Sequence, residues 1–118
     1  MLYEVAQWRI RKEFSQKHLE MWRQILEEQK SHSDKFNYTR SRILQSAEEE
    51  ADPTEERWMW IDEYEGREAY DRMERAIEAD PEVAKMKEKW HSMWDPMRIP
   101  GSLKSELWTE KLKVELKK

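Results

Sequence analysis

A chain of 118 residues has the size of a single domain, 1–118, large enough to bury a core but not to hide both faces of a sheet unaided. Lysine and arginine number 22 against 26 aspartates and glutamates, and the resulting charge of −4 argues against a nucleic-acid partner, which calls for a basic excess. With no cysteine there is no disulfide, thiolate nucleophile or cysteine-held metal.

The opening MLYEVAQWRI lacks the basic-then-apolar form of a signal peptide. No apolar run approaches the roughly 18 residues of a membrane span. A cytoplasmic protein without membrane contact is expected. Heavy use of Glu, Lys and Arg without cysteine also matches thermophile composition.

The first element, LYEVAQWRI, alternates as a β-strand. Tyr3, Val5 and Gln7 fall on one face, and Leu2, Ala6, Trp8 and Ile10 on the other. From Lys12 to Ser31 the spacing turns helical, with Phe14, His18, Met21, Trp22 and Ile25 in one stripe. SHSD ends this helix, and His32 is expected to cap it. KFNYTRSRILQSA reads as a second strand from its β-branched and aromatic content. EEEADPTEE reads as a solvated loop.

RWMWIDEY is the third strand, with Trp58, Trp60, Asp62 and Tyr64 on one face and Met59, Ile61 and Glu63 on the other. Gly66 turns the chain into a second helix carrying Tyr70, Met73 and Ile77 on one face. Asp80-Pro81 supplies an N-cap followed by proline at the first helical position, so the helix should end or bend there and restart. Val83, Met86, Trp90, Met93 and Trp94 continue it. DPMRIPGS then breaks the pattern, and LKSELWTEKLKVEL reads as a final strand.

The order β-α-β-β-α-β predicts a ferredoxin-like α+β fold, a four-stranded antiparallel sheet with two helices on one face. If the helical stripes cover one face, the other is expected to carry Ala6, Trp8, Ile10, Met59 and Ile61. Each large apolar side chain left in water forfeits roughly 1.5–3 kcal/mol. A two-fold homodimer, sheet against sheet, is the simplest cover.

Two stretches, MLYEVAQW and IDEYEGREAYDRMERAIEADPE, resemble the opening strand and the third-strand-to-helix junction of the dimeric α+β barrel superfamily, in its NIPSNAP-like and antibiotic-biosynthesis-monooxygenase-like branches. The resemblance implies a pocket between sheet and helices, and in this chain Gln7, Trp22, Trp58, Trp60, Tyr64, Tyr70 and Met73 are its candidate lining. Some members hold haem or a polyketide there. The haem-degrading branch uses an Asn on the first strand, a Trp ending the third and a His in the next helix. Gln7, Tyr64 and Met73 occupy those positions here. The missing axial histidine argues against haem, and no cofactor is expected.

His18 lies on an apolar stripe and Asp62 on the strand face assigned to the helices. Buried acids need partners, so the two form a candidate pair able to move a proton near neutral pH, with the His18 pKa raised. A satisfied core hydrogen bond is the plainer alternative. Glu88, His91 and Asp95 share a helix face, but a single Glu-x-x-His is half a metal motif and reads better as a solvated face, so no metal site is expected. Phosphate loops and Ser-His-Asp sets are missing. Two functions remain: binding of a hydrophobic or aromatic small molecule, or a cofactor-independent monooxygenase or isomerase-like enzyme using His18 and Asp62.

Overall fold

The computed structural model describes residues 1–116. Strand β1 (Leu2–Arg11) leads through a short 3-10 turn into helix α1 (Ser15–Ser31). Strands β2 (Arg40–Gln45) and β3 (Glu55–Tyr64) follow, then α2 (Arg67–Ala79), α3 (Pro81–Trp94) and β4 (Lys104–Thr109). The strands form one sheet in the order β2-β3-β1-β4, each neighbour antiparallel. This is the ferredoxin-like α+β arrangement, with the helices on one face and the other face open.

The second helix breaks where Asp80-Pro81 predicts. Proline has no amide hydrogen to continue α2, and Asp80 takes an extended conformation with φ −109° and ψ 106°. Its carboxylate accepts the Glu82 backbone N–H at 2.9 Å, capping α3. At the end of α1, His32 is the C-cap, its backbone N–H donating to the Gln29 carbonyl at 3.1 Å.

Strand register decides which side chains meet. Trp8 pairs with Trp58, Ala6 with Trp60, Glu4 with Asp62 and Leu2 with Tyr64, so the even-numbered residues of β1 and β3 share a face. That face meets the helices. Ala6, Trp8 and Ile10 are buried there in one core with Trp22, Ile25 and Trp94. The expectation that Ala6, Trp8 and Ile10 lie on the uncovered face is therefore corrected. The physical reason is charge: the odd row of the same two strands includes Gln7, Arg9, Arg57 and Glu63, and burying it would strand those groups away from water.

Met59 and Ile61 do lie on the open face, where the pairing sets them beside Gln7 and Val5 and near Leu44 of β2. The register thus separates Met59 and Ile61 from the three residues with which periodicity grouped them.

At the centre of the core, Trp8, Trp22, Trp60 and Trp94 approach one another in all six pairings, with ring centroids 4.7 to 6.2 Å apart. Four of these contacts are edge-to-face, an arrangement the indole quadrupole favours, and two are tilted. Leu2, Tyr64, Ala69 and Met73 form a smaller cluster under α2.

The last strand is shorter than its pattern. LKSELWTEKLKVEL reads as a strand as far as Leu116, but pairing with β1 stops at Leu2–Thr109, with one further bond from the Glu110 N–H to the Met1 carbonyl.

Candidate functional site

A cavity of about 260 Å³ lies between the sheet and the helices. Trp22 and Ile25 come from α1, Trp60, Asp62 and Tyr64 from β3, and Trp90 and Trp94 from α3. Period-two alternation on β3 delivers the first polar group: Asp62 follows Trp60 and precedes Tyr64 on the inward face. Phe36 and Tyr38, on the segment between α1 and β2, close one side. Glu4, Glu74 and Lys87, all partly exposed, mark a charged rim.

The cavity wall perturbs its acids. Burial pushes the Asp62 carboxyl up to about 7, helped by the nearby Glu4 carboxylate and opposed by Ser41 and Lys87. Burial also raises Glu4 above its ordinary range. Burial and the neighbouring Asp62 raise the Tyr38 and Tyr64 hydroxyls further beyond their usual values. At neutral pH Asp62 is therefore poised between its two forms, able to donate or accept a proton, beside two phenols that stay protonated.

Four residues of the lining each hold a buried polar atom with no hydrogen-bond partner among the described residues: Gln29 Oε1, Tyr38 Oη, Trp60 Nε1 and Trp94 Nε1. Buried polar groups are nearly always paired, so four in one cavity wall is an unusual concentration.

His18 is elsewhere. It is buried at the other end of the core, ringed by Trp8, Trp22 and Trp58, and is not among the residues lining the cavity. Trp58 and Asp62 are four residues apart on β3, about 13 Å along the strand. No hydrogen bond or ion pair joins His18 to Asp62. Burial pushes the His18 imidazole down to about 4, the opposite of the rise expected for an ion pair. The predicted pair is therefore corrected: helical spacing carried His18 inward, but against Trp58, about 13 Å along the strand from Asp62.

Of the other predicted pocket residues, Trp22, Trp60, Tyr64 and Met73 line the cavity. Trp58 packs on His18 instead, with its indole N–H donating to Glu56 at 3.1 Å. Tyr70 lies beyond Tyr64, and its hydroxyl donates to Glu4 at 3.4 Å. Gln7 is on the open face, across the sheet from Tyr64 and Met73. The haem-branch positions therefore do not converge, and with Met73 in place of the axial histidine these residues do not fit that group. Among the described residues no cluster of three or more acidic or histidine side chains is placed to hold a metal ion.

Sequence reasoning missed Phe36, Tyr38, Trp90 and Trp94 as pocket residues. The helical stripe Val83–Trp90–Trp94 carried the signal for the tryptophans. Phe36 and Tyr38 fall in the stretch whose aromatic content reads as the start of the second strand, whereas β2 begins only at Arg40.

No family model matches the sequence, and no curated protein sequence matches it. Solved structures do match by shape. A provisionally assigned antibiotic biosynthesis monooxygenase from Nitrosomonas europaea aligns with a TM-score of 0.61 at 16% identity, covering 93% of this chain and 98% of that one. An uncharacterized NIPSNAP domain protein from Burkholderia xenovorans aligns with a TM-score of 0.57 at 14% identity, over 98% and 99% of the two chains. A dimeric ferredoxin-like protein from an uncultured marine organism gives a TM-score of 0.52 at 16% identity, over 96% and 93%. The chain shares with these structures the ferredoxin-like α+β fold. No helix among the described residues is long and apolar enough to cross a membrane.

Proposed function

We propose that this protein is a homodimer that binds a small hydrophobic, aromatic molecule in the cavity between sheet and helices. The observation carrying this reading is the aromatic lining with its four unpartnered polar atoms. A ligand that reached these buried atoms would find two indole N–H donors, a glutamine oxygen acceptor and a phenol that serves either way. Indole faces supply the apolar contact, and the volume suits a molecule of one or two rings.

The test is native mass spectrometry of freshly purified protein, followed by calorimetric titration with one- and two-ring phenols. A co-purified small molecule, or saturable binding abolished by the cavity-filling change Ile77→Trp, is the expected outcome. Protein free of ligand that binds none of the phenols would overturn the reading.

One observation favours an enzyme. Asp62, with a pKa near 7 beside the Tyr38 and Tyr64 phenols, is a general acid or base at the wall of an aromatic pocket. In that second reading the chain is a cofactor-independent monooxygenase or isomerase-like enzyme, with Asp62 rather than a His18–Asp62 pair moving the proton. Turnover of a bound phenol that Asp62→Asn abolishes without loss of binding would separate it from simple binding.

A further inference from the structure

We infer that the cavity takes an aromatic amine, its ammonium group held by the carboxylates of Glu4, Asp62 and Glu74. The inference rests on the small-molecule reading above and narrows its ligand class. Three carboxylates line the cavity against one ammonium, that of Lys87. They come from three elements: Glu4 from β1, Asp62 from β3 and Glu74 from α2. Glu4 and Asp62 stand directly opposite each other in the β1–β3 ladder, both on the face that meets the helices. Like charges so placed destabilise a sheet.

Nothing in the protomer discharges this group. Among the described residues Glu4, Asp62, Glu74 and Lys87 form no ion pair. Glu4 accepts a long hydrogen bond from the Tyr70 hydroxyl at 3.4 Å. Asp62 is 7% exposed, and its cross-strand neighbour Ser41 offers a hydroxyl rather than a charge. On the same wall, burial and Lys87 push the His91 imidazole below its ordinary value, so it adds no cation at neutral pH. The acids relieve their repulsion by keeping protons: burial first, and then a neighbouring carboxylate, raises both Asp62 and Glu4. A bound ammonium would supply the missing countercharge and displace those protons.

A second, separate feature of the wall calls for an aromatic body. Trp94, 2% exposed, carries an indole N–H with no acceptor, and Trp60 carries another. Buried donors of this kind suit a hydroxyl or carbonyl oxygen on the ligand. Two residues of β3, about 7 Å, separate Trp60 from Asp62. That is the reach of a ring joined to an ammonium by a short alkyl chain. The ammonium brings three donors to a set of acceptors, and the indoles tolerate a nearby cation as they would not an anion. A ligand carboxylate would instead meet like charge from two strands and a helix.

The test is calorimetric titration of the native protein with three ligands that share one phenol ring. Near neutral pH tyramine is a cation, para-ethylphenol is neutral and para-hydroxyphenylpropionate is an anion. Tyramine is expected to bind roughly tenfold tighter than para-ethylphenol, and the anion roughly tenfold weaker. Tyramine binding should also release protons at pH 7, read by repeating the titration in buffers of different ionisation heat. In the Glu4→Gln, Glu74→Gln variant the preference for tyramine over para-ethylphenol should collapse. Should that variant not fold, the charge series and the proton count on the native protein decide alone. Equal affinity for all three ligands, preference for the anion, or a tyramine preference that survives both substitutions overturns the amine assignment and leaves the cavity reading standing. Failure of all three to bind overturns the cavity reading, and the amine with it.

Discussion

The Trp8 indole N–H donates to Nε2 of His18 at 2.9 Å, and the Trp22 indole N–H reaches the same nitrogen at 3.2 Å. One lone pair thus serves two donors. Nε2 must then be unprotonated, which fixes the imidazole as neutral with its proton on Nδ1. Protonation would turn an acceptor into a third donor in an apolar cage, so burial and geometry agree on the direction of the shift.

NMR titration of His18 is expected to show a neutral ring down to about pH 4, with the Nδ1-H tautomer throughout. A pKa at or above 6.5 contradicts the cage. His18→Leu should cost about 1–3 kcal/mol for each indole N–H left without an acceptor, measured by denaturant unfolding.

His18 and Asp62 should tilt stability with pH in opposite senses over nearly one window. The His18 pKa is depressed from 6.5 to about 4, so its contribution is present above 6.5 and is lost as pH falls through 4. The Asp62 pKa is raised from 3.8 to about 7, so its contribution is present below 3.8 and is lost as pH rises through 7. The two slopes offset each other in the native protein. Asp62→Asn should leave unfolding free energy rising with pH between about 4 and 6.5, and His18→Gln should leave it falling between about 4 and 7. Parallel slopes in the two variants contradict this assignment.

The corrected register separates two tryptophan and methionine positions that periodicity had joined. Trp8→Ala should unfold or destabilise the protein by about 3–5 kcal/mol, since it empties the centre of the core. Met59→Glu changes a residue of the open face and should leave the circular dichroism of the fold intact while shifting sedimentation toward monomer. If Trp8→Ala proves harmless to stability, the inward placement of the even row is wrong.

Tyr38→Phe separates a binding hydroxyl from a structural one. Its oxygen is buried and unpartnered, so removal should be neutral or stabilising by up to about 1 kcal/mol. Affinity for phenolic ligands should fall all the same. Lost stability with unchanged affinity would show that the hydroxyl serves the fold.

Much of this architecture was legible because each element carries its own period. β1 and β3 alternate, α1 and α3 repeat at helical spacing, and Asp80-Pro81 marks the break by two independent mechanisms. Register was harder. Alternation sorts Trp8 from Gln7 and Trp60 from Met59, but it does not say that Trp8 faces Trp58 across the ladder. The clue was available in the polarity of whole rows: Leu2, Ala6, Trp8 and Ile10 make a cleaner core set than Tyr3, Val5, Gln7 and Arg9. The His18–Asp62 pairing failed for a related reason. Facing the same layer fixes direction but not position along the strand, and position decides whether two side chains touch. Tyr38 reads as part of the second strand, but β2 begins only at Arg40, and composition does not say which neighbours Tyr38 meets.

Four indoles held within 6.2 Å of one another do not absorb light independently. At such separations their strong transition dipoles couple, and the far-ultraviolet circular dichroism of the folded chain should carry an exciton couplet from the indoles rather than a sum of separate bands. Trp22, Trp60 and Trp94 of that set also line the cavity. The protein therefore carries a built-in chiroptical reporter, in which an occupant of the pocket would perturb one collective signal shared by indoles from β1, α1, β3 and α3.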